Sequence, residues 1–183
     1  MAGKVEEVLA AIARLTPRER AELKRQLAQF PWWARNEENP ASHSARAEWE
    51  PDFVVVFDGG SVDNPGRGYG SFLLTRQYDG QTRHRALELG AHMTSNEAEY
   101  DTLIAALNDL QVWIRESGGD VAHTSVEVRG DSQLVIRQVS GRWRVREPRM
   151  LRRRDEVNRL LALLGSFRLV EQPREESVRL LGH

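Results

Sequence analysis

Three acids in the 183-residue chain stand where the sequence places element ends. Asp58 follows the apolar run 53–57 and precedes Gly59-Gly60. Glu99 opens a long segment with an apolar stripe. Asp131 sits in Val128-Arg129-Gly130-Asp131-Ser132-Gln133. One at a time, each has an ordinary reading. Asp and Gly are preferred turn residues, Asp131 ahead of a helix suits an N-cap, and Asn96 with Glu99 makes a cap and N3 pair. Capping does not require three acids at these particular ends. In sheets containing parallel strands, ligands gather beyond the carboxyl ends of the strands, so Asp58 and Asp131 meet if their strands are parallel neighbours. Glu99 shares a helix face with Leu103 and Ala106, the face turned to the sheet. Inward carboxylates side by side are costly unless a cation or hydrogen bonds compensate them. Such hard oxygen donors suit Mg²⁺ or Mn²⁺.

The elements that must position these acids follow from periodicity. Residues 53–57 are a continuous apolar run suited to a buried central strand. Residues 70–76 and 84–89 read as two further strands joined at Tyr78-Asp79-Gly80. Residues 97–117 form the clearest helix, striped by Leu103, Ile104, Leu107, Leu110 and Ile114 and ended by Gly118-Gly119. A fourth strand around Val126 and Val128, a short helix over 132–140, a helix over 149–164, a fifth strand over 167–170 and a short terminal helix complete the chain. Three strands followed by alternating helices and strands predict an α/β fold: a five-stranded mixed sheet flanked by helices, over residues 51–183. Residues 1–35 read as a small helical hairpin. Val5, Val8, Leu9 and Ile12 recur at helical spacing, as do Leu23, Leu27 and Phe30, with a Thr16-Pro17-Arg18-Glu19 capping box between them. Such a hairpin buries little alone, so it is expected to pack on the main domain or to self-associate with a second copy. Trp32 and Trp33 follow it, and residues 36–50 are a polar linker.

Composition sets the outer bounds. A formal net charge of −1 names no partner, so any charge argument is local. The absence of cysteine excludes a disulfide framework and a thiolate zinc site, and fits a reducing cytoplasm. The apolar runs are too short for a membrane helix, and the first residues carry charge too early for a signal peptide.

Read in order, Asp58-Gly59-Gly60-Ser61 with Asn64-Pro65-Gly66, then Thr94-Ser95-Asn96-Glu97-Ala98-Glu99-Tyr100, then Gly130-Asp131-Ser132-Gln133 resemble the successive motifs of type 1 ribonuclease H. Gly141-Arg142-Trp143 and Pro173-Arg174-Glu175-Glu176 extend the resemblance, which runs from about residue 53 to the end of the chain. Each motif is weak alone; the ordered set is specific. The resemblance implies a ribonuclease H-like fold and endonucleolytic cleavage of the RNA strand of an RNA–DNA hybrid, leaving 5′-phosphate. It implies two divalent ions, Mg²⁺ or Mn²⁺, held by Asp58, Glu99 and Asp131. It makes Asn64, Asn96 and Gln133 candidates for contacts to 2′-hydroxyls in the shallow minor groove, and Thr94 a candidate for a DNA-phosphate contact.

The pattern departs at the last helix. Where the family has Arg-x-x-Asn-x-x-Ala-Asp, this chain has Arg174, Ser177 and Leu180-Leu181, with no acid at the fourth ligand place. His183 stands two residues further on and is the candidate replacement ligand, with Glu175 or Glu176 behind it. Arg142, Arg144, Arg146, Arg149 and Arg152–Arg154 form the densest positive run, either a salt-sensitive phosphate contact or a solvated helix face. Trp143 is expected as a packing residue. The alternative function is a non-catalytic or weakly active hybrid-binding module of the same fold, and a different nuclease of that fold is the third reading.

Overall fold

The computed structural model describes residues 3–27 and 49–182. Trp32, Trp33, nearly all of the expected linker and His183 lie outside the described residues.

Helices α1 (Lys4–Ala13) and α2 (Pro17–Leu27) are followed by strands β1 (Phe53–Val62), β2 (Arg67–Arg76) and β3 (Thr82–Glu88). Then come α3 (Ser95–Glu116), β4 (Ser125–Gly130), α4 (Gln133–Val139), α5 (Pro148–Leu161), β5 (Ser166–Glu171) and α6 (Arg174–Leu181). The sheet order is β3-β2-β1-β4-β5. β1 pairs antiparallel with β2 and parallel with β4, and β4 pairs parallel with β5, so the sheet is mixed.

Alternation along β1 divides the core. Phe53, Val55 and Phe57 face α3, where Leu103, Leu107, Leu110 and Ile114 meet them, joined by Val126, Val128, Val157 and Leu161. Val54 and Val56 face the other way, toward Leu181 of α6. α3 begins at a reciprocal cap: the Thr94 hydroxyl accepts from the Glu97 amide, and the Glu97 carboxylate accepts from the Thr94 amide. The helix therefore starts earlier than expected, and Asn96 with Glu99 is not its cap. Local side-chain geometry decided this, since Thr94 reaches the N3 amide from an extended backbone.

β1 also differs from expectation. It runs ten residues, so Asp58 lies inside a strand. Pairing to β2 continues through Asp58↔Ser71 and Gly60↔Tyr69 to Val62↔Arg67, whereas parallel pairing to β4 ends at Phe57↔Gly130. Asp58 is thus the first β1 residue beyond the end of that ladder. Gly59 follows because α3 lies directly on it. A Cβ there would stand 2.7 Å from the Ala98 carbonyl and the Glu99 nitrogen.

The N-terminal hairpin carries the expected Thr16–Glu19 box. It docks at this chain's own β2–β3 turn: the Arg20 guanidinium lies over the Tyr78 ring at 4.1 Å from its centroid. That contact gives no support to self-association. Among the described residues, no helix is long and apolar enough to cross a membrane.

Candidate active site

Asp58 and Asp131 each lie one residue past the last β1–β4 pair, Phe57↔Gly130. That register sets them side by side where β4 leaves the sheet for α4. Glu99 reaches the same notch from the second turn of α3, because Gly59 lets the helix approach closely.

The three acids meet in an electrostatically unusual place. The Asp58 and Asp131 side chains are only 6% and 9% exposed. Glu99 Oε2 is buried without a hydrogen-bond partner. Burial pushes the Glu99 carboxyl up to about 7; a hydrogen bond from Ser132 opposes this, the neighbouring Asp131 and Asp58 add to it, and Arg174 opposes it weakly. Arg174, at the first position of α6, reaches Asp131 Oδ2 at 3.1 Å and Asp58 Oδ1 at 4.0 Å.

Sequence reasoning missed Ser132. Its hydroxyl accepts from the Val135 amide as the N-cap of α4, so Asp131 is free of the capping role considered for it, and the same hydroxyl sits close enough to Glu99 to favour its charged form. The signal was a serine directly after the acid, since serine caps helices as well as aspartate does. Arg174 was legible as part of a motif but not as a contact to both aspartates.

The donor set suits a hard divalent cation: three carboxylates, one with a buried oxygen that no protein group satisfies. Among the described residues, no three Asp, Glu or His side chains already form a cage that could hold a metal ion. Asp58 and Asp131 instead share the Arg174 guanidinium. The fourth ligand place is apolar. Leu181 is 4% exposed and packs with Val54 and Val56. Glu175 is exposed, and Glu176 pairs with Arg179 along its own helix.

Three of the four substrate candidates border a groove of about 360 Å³ lined by Asn64, Thr94, Asn96, Arg144, Arg146 and Met150, among others. Asn64 Oδ1 accepts from the Ser95 amide and ties the β1–β2 turn to the start of α3. The Thr94 hydroxyl is already engaged by both the amide and the carboxylate of Glu97. Gln133 is exposed at the first position of α4, two residues after Asp131, and is not among the groove's lining residues.

The arginine run divides by partner. Arg153 binds Asp101 and Glu97, and Arg154 binds its neighbour Asp155. Arg142 approaches Glu171, while Arg144 and Arg146 border the groove. Trp143, expected as a packing residue, is 43% exposed and packs at the surface, with the Arg137 guanidinium over its ring.

The sheet order and the placement of three acids around one strand end define a ribonuclease H-like fold. The chain belongs to the type 1 ribonuclease H family: the family described as "Reverse transcriptase-like" matches residues 56–178. Ribonuclease HI of Halobacterium salinarum (strain ATCC 700922 / JCM 11081 / NRC-1) is 34% identical over 125 residues, covering 68% of this chain and 58% of that protein. The bifunctional protein Rv2228c of Mycobacterium tuberculosis (strain ATCC 25618 / H37Rv) is 37% identical over 100 residues, covering 54% of this chain and 25% of that protein. The chain therefore spans little more than half, or less, of the curated relatives it matches. The crystal structure of RNase H1 from Halobacterium salinarum NRC-1 superposes with a TM-score of 0.61 at 33% identity, covering 69% of this chain and 89% of that one. LC11-RNase H1, solved in complex with an RNA/DNA hybrid, gives a TM-score of 0.61 at 32% identity, with coverage of 69% and 89%.

Proposed function

We propose that residues 51–183 form a catalytic domain that cleaves the RNA strand of RNA–DNA hybrids endonucleolytically, leaving 5′-phosphate, with residues 1–35 as a separate N-terminal appendage. The observation that carries this reading is the meeting of Asp58, Asp131 and the unsatisfied Glu99 carboxylate at one strand end. The family as a whole depends on divalent metal ions. When bound, two such ions would activate the attacking water and neutralise the leaving 3′ oxygen. Asp58, Glu99 and Asp131 would hold them. Ser132, beside Glu99, would favour the charged form of its carboxyl. Asn64, Asn96 and Gln133 would meet 2′-hydroxyls, which allows RNA to be told from DNA without reading bases. The chemistry is displacement at phosphorus, so positioning and charge compensation supply most of the rate.

The apolar Leu181 at the fourth ligand place favours a second reading, a hybrid-binding module with weak or manganese-dependent activity. Labelled RNA–DNA hybrid, duplex DNA and duplex RNA, each incubated in Mg²⁺ and then Mn²⁺, separate the two. Cutting confined to the hybrid's RNA strand is the expected result. Binding without cutting in either metal establishes the second reading, and cutting of DNA alone rejects both. Asp131→Asn should lower cleavage by roughly a thousandfold or more while hybrid binding persists.

A further inference from the structure

We infer that Arg174 is a resident counter-cation of the acidic notch, which divalent ions must displace in order to load. The inference rests on the metal reading above and concerns what occupies the acids before any metal arrives. Arg174 Nη1 is 3.1 Å from Asp131 Oδ2 and 4.0 Å from Asp58 Oδ1, so one guanidinium serves both aspartates. The two carboxylates are almost wholly buried, while the Arg174 side chain is 66% exposed. That asymmetry matters: the acids stay in place, and the cation can leave into solvent.

The anchor of this arm is well defined. Arg174 opens α6, whose buried Ser177 accepts from Gln172 Nε2 and whose Leu181 packs on Val54 and Val56. The backbone of residue 174 is thereby pinned beside Asp131 while its side chain spans the notch. Of the other ionic groups of α6, Glu176 is paired to Arg179 along the helix and Glu175 is exposed. A metal ion and the guanidinium would neutralise the same two carboxylates, so their occupancies compete. Like-charged carboxylates left without either would repel each other.

The experiment uses the full chain, freed of metal with EDTA and dialysed, then titrated with MnCl₂ in a calorimeter. Because Arg174 is mostly exposed, its removal is expected to tighten Mn²⁺ binding modestly. Arg174→Gln should do so by roughly three- to fivefold, the equivalent of an exposed ion pair. Arg174→Lys, which keeps the charge but loses the wide planar reach, should fall between wild type and Arg174→Gln. In EDTA the Gln variant should melt below wild type, and saturating Mn²⁺ should close that gap, a pattern that a packing role for Arg174 does not produce. If wild type binds Mn²⁺, Asp131→Asn loses it, and Arg174→Gln binds no more tightly than wild type, the inference is overturned and the metal reading stands. If Asp131→Asn binds Mn²⁺ as wild type does, both fall together.

Discussion

Arg76 and Glu99, near opposite ends of β1, bury charge in opposite ways. At the end near the β2–β3 turn, Arg76 is 7% exposed and every arm of its guanidinium is engaged. Nε and Nη2 bind Asp79, Nη2 also binds Gln81, and Nη1 binds Ser117 at 2.7 Å. Its plane lies beside Tyr78 and Trp113, and the Tyr78 ring receives Arg20 from the N-terminal hairpin. Each partner favours the charged state: the hydrogen bond from Arg76 holds the Asp79 carboxyl below its ordinary value. At the other end, Glu99 keeps a buried oxygen without a partner, and burial raises its carboxyl to about 7. A satisfied buried charge is architecture. An unsatisfied one is retained against a stability cost, and such groups concentrate where chemistry is done.

Breaking the satisfied end should have the larger effect on stability. Arg76→Met removes a guanidinium with four hydrogen bonds and should cost about 3 kcal/mol, at the low end for a buried pair because Asp79 can partly hydrate. Denaturant unfolding measures this, and a loss below about 1 kcal/mol would show the network to be ornamental.

Relieving the unsatisfied end should act in the opposite direction. The folded protein binds a proton at Glu99 more tightly than the unfolded chain does, with a value near 7 against 4.5. The stabilisation from this site is complete below pH 4.5 and is lost as pH rises through 7. The difference, 7 − 4.5 = 2.5, sets a ceiling just over ~3 kcal/mol, which residual hydration of the carboxyl lowers to about 2 kcal/mol. Glu99→Gln should therefore stabilise the metal-free protein at pH 8 and flatten this part of its pH profile, while abolishing cleavage. Thermal melts in EDTA at pH 5 and pH 8 check the sign. Equal pH dependence in wild type and Glu99→Gln would remove the electrostatic contrast between the two ends.

The smallest effect is expected from the cap that orients α3. Thr94→Ala loses the hydroxyl side of the box with Glu97, costing about 1 kcal/mol in urea unfolding. A much larger fall in hybrid affinity than this destabilisation explains would add a substrate contact to the cap role of Thr94.

Much of the architecture was readable before any coordinates. The apolar stripe of α3 and the alternation around β1 are periodic, and periodicity is a property of neighbours in sequence. The Thr16–Glu19 box was equally local. The readings that failed depended on distant partners or on a choice between adjacent side chains. Asp58 looked like the end of a strand because Gly59-Gly60 reads as a turn, yet β2 keeps pairing through both glycines. Arg152–Arg154 looked uniform, but Asp101 and Glu97 on α3 claim Arg153. Thr94 and Ser132 took the caps offered to Asn96 and Asp131.

The linear order of residues determined which carboxylates stand near element ends and that the last motif carries leucine where its family carries an acid. Only the folded chain decided what those acids face. Parallel pairing that stops at Phe57↔Gly130 opens the notch, and Arg174 reaches Asp131 across 43 residues of sequence. The reason is that short-range propensity acts through bonded neighbours, whereas burial and charge compensation depend on which strands and helices finally lie side by side.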